Sequence, residues 1–168
     1  MLLLGIDVGT SSVKATVIYA SSQQIIATAT YLESEAEIIS LNYGWAEQDP
    51  ETWWEYAQKA ILKCNATLNY DSKDIKSIGI SYQMHGLVLV DKHQRVLRNA
   101  IIWCDSRAVD IGNKAFDKIG ADYCLPCLLN SPGNFTASKL TWVKENEPHV
   151  YDKIDKIMLP GDKAPLFI

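Results

Sequence analysis

The run Leu2-Leu3-Leu4-Gly5-Ile6-Asp7-Val8-Gly9-Thr10-Ser11-Ser12-Val13-Lys14-Ala15-Thr16-Val17-Ile18 decides how the chain is read. Apolar and β-branched residues on both sides of a small-residue turn predict two hairpin strands. The first strand delivers a carboxylate, Asp7, into that turn. Gly9 lets the main chain bend tightly and approach a ligand, and exposed turn amides form an anion-binding nest. Thr10, Ser11 and Ser12 add three hydroxyls. A carboxylate beside phosphates is tolerable only with a cation between them, so the grouping suits a magnesium-bound polyphosphate. It is not a Walker P-loop, because no Gly-Lys-Ser/Thr leads into a helix. The same residues also make an ordinary hairpin in which Asp7 and Thr10 hydrogen-bond the turn, and the segment alone does not separate the two readings.

Outward from the hairpin, residues 24–32 (QIIATATYL) predict a third strand, and three short strands in succession make an antiparallel meander. Asp49-Pro50-Glu51 starts a helix, with Asp49 as N-cap and Pro50 at the first position. Trp53, Ala57, Ala60, Ile61, Cys64 and Leu68 follow at helical spacing, so one face of that helix is core. Trp45 lies before the cap and outside the stripe; it either anchors its loop or offers an indole face to the apolar side of a sugar. Residues 75–82 predict a strand that ends in Gln83-Met84-His85-Gly86 before a further strand over 87–91. Ligands of open sheets bind just beyond strand ends. There Gln83 and His85 can exchange hydrogen bonds with sugar hydroxyls and Met84 supplies a soft wall; a structural, hydrogen-bonded histidine is the plain alternative.

Residues 96–102 predict another strand, followed by Trp103-Cys104-Asp105-Ser106-Arg107. An aromatic ring, a carboxylate and a guanidinium so close together can grip a polyol, with Asp105 accepting hydroxyl protons and Arg107 orienting Asp105 or a phosphate. The competing reading is an ion pair at the start of a helix that runs from about Ser106 to Gly120.

With 168 residues, 48% of them hydrophobic, the chain can bury one sizeable core. A formal net charge of −4 argues against a nucleic-acid or anionic-membrane partner. No stretch has transmembrane length, and Met1-Leu2-Leu3-Leu4 lacks the basic flank of a signal peptide, so a cytoplasmic protein is expected. Cys124-Leu125-Pro126-Cys127 has the spacing of a zinc or redox pair. His85, His93 and His149 add no matching ligand pattern, and the pair runs into Leu128-Leu129-Asn130-Ser131-Pro132, which reads as loop.

Taken in order, these segments, with residues 132–142 (PGNFTASKLTW), Glu147-Pro148 and Leu159-Pro160-Gly161-Asp162, resemble the FGGY family of carbohydrate kinases, and within it the xylulokinases. The resemblance runs from residue 2 to about residue 162, leaving 163–168 as a tail that departs from the pattern. It implies an α/β fold of the actin-like, ribonuclease-H-like kind, with a five-stranded mixed sheet that starts with three antiparallel strands. It implies ATP and Mg2+ as cofactors, with Asp7 on the magnesium nucleotide, Gly9, Thr10, Ser11 and Ser12 as the phosphate hairpin, and Lys14 near the phosphates. Met84 and His85 match the pair that contacts the sugar in xylulokinases, where glycerol kinases use Arg-Glu. Gln83, Trp103, Asp105 and Arg107 fall near the same pocket, Asp105 foremost.

The reaction implied is transfer of the γ-phosphoryl group of ATP to a ketose such as D-xylulose. The family's catalytic base, second phosphate motif, adenosine motif and second actin-like domain have no match in this sequence, so the chain is expected to be inactive by itself and to need a carboxy-terminal domain; a homodimer is the other partner considered. Ser138 stands where these kinases often carry proline, a change expected to affect only loop stiffness. Two rivals stand beside this reading: a non-catalytic sugar-binding or regulatory module of the same fold, and an actin-like phosphohydrolase, which leaves residues 83–86 without a purpose.

Overall fold

The computed structural model describes residues 1–163, leaving Ala164–Ile168 undescribed; for Lys163 only the backbone is described. The chain forms two compact units, residues 1–37 with 51–83, and residues 38–50 with 84–162.

In the first unit, β1 (Leu2–Val8), β2 (Val13–Tyr19), β3 (Ile25–Tyr31) and β5 (Ile75–Tyr82) form one sheet in the order β3-β2-β1-β5. β1–β2 and β2–β3 are antiparallel, as the meander predicts, and β1–β5 is parallel. The α/β class with a mixed sheet holds, but among the described residues the sheet has four strands rather than five.

Period-two alternation sends Leu2, Leu4, Ile6 and Val8 to the buried face and leaves Gly5 and Asp7 on the open one. Opposite, Val13, Ala15 and Val17 are buried too. Helix α1 (Pro50–Asn65) begins directly after Asp49. Its stripe Trp53, Ala57, Ala60 and Cys64 is buried, and the small residues let it approach so closely that the Cys64 thiol donates to the Ala15 carbonyl at 3.2 Å. Leu68 does not continue the stripe. The helix has ended, and Leu68 sits at φ 53° with 87% of its surface exposed.

The second unit holds two short antiparallel pairs. β4 (Glu47–Gln48) lies against β7 (Ala100–Ile101), and β6 (Val88–Val90) against β8 (Lys156–Met158). The strand expected over 96–102 is thus reduced to two residues plus an isolated Val90–Val96 bridge.

The helices are α2 (Val109–Ile119), α3 (Ala121–Leu128), α4 (Thr136–Asn146), α5 (Pro148–Tyr151) and α6 (Pro160–Lys163). Leu87, Leu89, Ile101 and Val143 make the core, walled by Leu140, Trp142 and Tyr151 among others. Both cysteines of the Cys-x-x-Cys pair are free thiols on α3, Cys124 buried and Cys127 exposed.

Helix α2 meets the 3₁₀ turn Pro132–Asn134 with almost no gap: a Cβ on Gly112 would lie 2.3 Å from the Gly133 Cα. Gly112→Ala must therefore push backbone from backbone. It should destabilise the chain by roughly 1–3 kcal/mol, read as a lowered Tm, whereas Gly79→Ala, where an added Cβ meets nothing within 4 Å, should have little steric effect.

At the β6 end, Asp91 accepts the Arg95 amide at 3.0 Å, the His93 amide at 2.8 Å and the Arg95 guanidinium at 2.9 Å. These bonds, the Arg95 amide foremost, draw its carboxyl down to about 2 from the usual 3.8. A lowered folded-state pKa stabilises the fold above the unfolded value, and that contribution disappears as pH falls through the folded one. Acid unfolding of the parent chain should therefore show a stability loss between about pH 4 and 2 that Asp91→Asn flattens.

Candidate functional site

In the first unit the chemistry lies on the open face of the hairpin sheet. Asp7 is exposed, accepts the Ser81 hydroxyl at 2.8 Å, and stands directly across from Lys14 in the β1–β2 register. Gly5, Asp7, Lys14, Thr16, Gly79 and Ser81, with the backbone of Ile6 and Ile80 beneath, line an open depression of about 400 Å3. The paired glycines Gly5 and Gly79 keep its floor low.

Beside it, the Gly9 amide donates to the Ser12 carbonyl at 3.1 Å, closing a turn so tight that a Cβ on Gly9 would come within 2.9 Å of that oxygen. An exposed carboxylate, a lysine and a glycine-bound turn on one edge are the donor set that a magnesium polyphosphate takes, since Mg2+ is commonly held by one or two carboxylates plus phosphate oxygens. Among the described residues no cluster of three or more His, Cys, Asp or Glu could hold a metal by itself.

In the second unit a cavity of about 310 Å3 is lined by Met84 and His85, by Trp103, by Val109 and Asn113 of α2, and by Asn130, Ser131, Gly133, Asn134 and Phe135. Met84 is 65% and Trp103 47% exposed, large apolar surfaces left open to solvent. His85 takes φ 58°, a left-handed conformation uncommon for a residue with a Cβ. Its ring stacks on Phe135 at 4.5 Å between centroids. Burial, and then the Lys139 charge, press its pKa below the ordinary histidine value, favouring the neutral imidazole. Among the described residues no Asp, Glu, Lys or Arg lines this cavity.

Gln83 is not in the lining. It follows directly on β5, with its main-chain amide on the Val8 carbonyl at 3.0 Å.

Asp105 and Arg107, expected at the sugar, are packed inside the protein instead. Their side chains are 0% and 1% exposed and are paired at 2.7 Å. The Asp105 carboxylate also accepts the Ala46 amide at 2.6 Å and the Arg107 amide at 2.9 Å, leaving its oxygens engaged by protein donors. Arg107 Nη1 lies 2.7 Å from Glu47 Oε1, Glu47 also pairs with Arg98, and Arg98 reaches Glu147.

Trp45, the other candidate platform, is covered. The Arg107 guanidinium lies 3.9 Å from its ring centroid, and Trp142 meets it edge-on at 5.2 Å. Anchoring of the loop, not display to a ligand, describes it.

Sequence reading passed over Asn113, Asn130, Phe135 and Lys139. Phe135 and Lys139 lay in a quoted motif, and a lysine four residues before buried Val143 was the available signal that its side chain points inward.

Residues 2–163 match the N-terminal domain of the FGGY family of carbohydrate kinases. The chain belongs to that family. This FGGY chain is 36% identical over 162 residues to the xylulose kinase of Escherichia coli K12, covering 96% of this chain and 32% of that protein. With the xylulose kinase of Bacillus subtilis 168 it shares 36% over 161 residues, covering 95% of this chain and 31% of the other.

The crystal structure of a xyloylose kinase from Brucella ovis superposes with a TM-score of 0.89 at 34% identity, covering 100% of this chain and 34% of that one. A gluconate kinase from Lactobacillus acidophilus, at TM-score 0.81, 24% identity and coverage of 97% and 32%, shares the fold. The FGGY chain thus spans about a third of the length of the relatives it matches. The tail expected over 163–168 falls, beyond Lys163, outside the described residues. No helix among the described residues is long and apolar enough to cross a membrane.

Because Arg107 has no aqueous alternative, Arg107→Leu leaves Asp105 buried without its cation and Glu47 with Arg98 alone. Removing one member of a buried pair costs about 3–5 kcal/mol. Urea unfolding should show a loss of that size, and Asp105→Asn added to it should recover part of the loss, as coupled neighbours do.

Proposed function

We propose that this chain is the amino-terminal part of an ATP-dependent sugar kinase, with the Asp7 hairpin taking the magnesium nucleotide and the Met84–His85–Trp103 cavity taking a neutral ketose such as D-xylulose. The observation that carries the substrate class is the cavity lining, which holds aromatic, thioether, amide and imidazole groups and no charged side chain. A polyol is recognised by just such groups: an aromatic face for its C–H side, and amides and an imidazole that both donate and accept for its hydroxyls. A sugar acid or sugar phosphate would find no cation there. The resemblance of the chain to xylulose kinases supports the ketose within that class.

In this reading Asp7 orients the metal, with the Ser81 hydroxyl fixing the carboxylate rotamer. Lys14, across the ladder, offsets phosphate charge. The Gly9–Ser12 turn presents main-chain amides to the polyphosphate. Magnesium, when bound, screens the triphosphate and makes its γ-phosphorus more susceptible to in-line attack.

Neutral His85 and Trp103 hold and orient the sugar and exclude water. The reading assigns the base to no residue of this chain, so turnover is not expected from residues 1–168 alone. The depression beside Asp7 carries no sugar-like wall, and an actin-like phosphohydrolase would need no cavity around His85.

Calorimetric titration of the chain with D-xylulose, D-gluconate and MgATP, with ADP release followed in parallel, tests the proposal. D-xylulose should bind and D-gluconate should bind at least ten-fold more weakly; equal binding of both would remove the neutral-sugar assignment. Asp7→Asn should weaken magnesium-dependent nucleotide binding by about ten-fold or more, near 1.4 kcal/mol, and leave sugar affinity unchanged.

A further inference from the structure

Behind the cavity wall lies a buried cation that the proposed reaction does not use. Lys139, on α4, is 0% exposed. It donates to two main-chain carbonyls, His85 at 2.8 Å and Asn134 at 2.7 Å. Those carbonyls belong to segments on either side of the cavity, the turn after Gln83 and the 3₁₀ turn Pro132–Asn134. The same stretch of α4 adds two more ties, the Thr136 hydroxyl on the Gly86 carbonyl at 3.3 Å and the Ser138 hydroxyl on the Pro132 carbonyl at 2.6 Å. Ser138 therefore does more than alter loop stiffness. The first turn of α4 is in effect a row of donors that holds both walls.

We propose that Lys139 is the positioning residue of the cavity: by bridging the His85 and Asn134 carbonyls it holds His85 in its left-handed conformation and fixes the imidazole against Phe135. A buried ammonium is costly unless its bonds are charge-assisted and well aligned. An apolar side chain of similar length would fill the space without that cost, so the two carbonyl bonds are what the lysine supplies. Burial, opposed in part by the Asp105 charge, lowers its pKa to about 8, which leaves it mostly charged at neutral pH, with that charge close behind the imidazole. That the cavity holds a sugar rests on the proposed function; the bridge itself does not.

The test uses the full chain, labelled for NMR. In the parent, through-hydrogen-bond coupling should connect the Lys139 ammonium nitrogen to the His85 carbonyl carbon, and His85 ring protons should carry the ring-current shift of Phe135. Lys139→Met should abolish that shift, move the His85 titration midpoint upward because a neighbouring positive charge is gone, and weaken D-xylulose binding at least ten-fold. Lys139→Arg, which keeps charge and donors, should recover part of the ring shift.

A lysine that only fills space predicts a changed Tm with the His85 ring shift intact. That result, or absence of the coupling in the parent, overturns the proposal. The coupling is measured without any substitution, so it decides the matter even if Lys139→Met does not fold. Failure of the parent to bind D-xylulose, with ring shift and coupling present, removes the sugar reading and leaves the bridge standing.

Discussion

A guanidinium cut off from water sets the terms for the second unit. Arg107 has 1% of its side chain exposed, and an ion so placed must find all its partners within the protein. It finds Asp105 in the same loop, Glu47 on β4, and the ring faces of Trp45 and Trp142. Three separate segments, residues 45–47, the 105–107 loop and α4, are thereby drawn to one point. Glu47 extends the set to Arg98, and Arg98 to Glu147 at the end of α4. Trp103 sits two residues before Asp105, so the buried pair also determines where that indole stands. The motif read as a polyol grip acts one step behind the cavity: its acid and base hold the loop, and its aromatic residue reaches the lining.

That displacement shows where sequence reading succeeds and where it stops. The β1–β2–β3 meander was legible because alternation in Leu2–Val8 and Val13–Tyr19 is a local property, and α1 was legible because Asp49-Pro50 and the Trp53–Cys64 stripe lie within one helix length. The role of Asp105 was not legible, because its partner amide, Ala46, is 59 residues away in the chain.

Nor was α3. Only the loop over 128–132 was read there, whereas a helix runs over Ala121–Leu128 with Pro126 inside it and Cys124 buried. The strand predicted over 96–102 is confined to Ala100–Ile101, preceded by Arg98, whose side chain pairs with Glu47 and Glu147 from distant parts of the chain. The four-residue turn 83–86 was singled out in the sequence, and two of its residues, Met84 and His85, line the cavity. The division of labour inside it, with Gln83 tied to β1 just past the end of β5 and Met84 and His85 in the cavity, follows from where β5 ends and is not written in the tetrapeptide.

The two candidate sites also differ in how their rigidity arises. Around Asp7 it comes from ladder hydrogen bonds and from glycines that allow backbone to pass close to backbone. Around His85 it comes from side chains of one helix turn acting on carbonyls, an arrangement in which single substitutions on α4 reach the cavity without lining it.

One feature of the first unit bears on how such a chain behaves in concentrated solution. Among the described residues β5 has β1 on one side and no strand on the other, and its Ile78 is 43% exposed. A half-apolar rim of unpaired amides and carbonyls is a template on which another polypeptide can crystallise in cross-strand register. Lys76 is the one charged residue of β5, and a single lysine is a thin guard against copies of the chain adding to one another edge to edge.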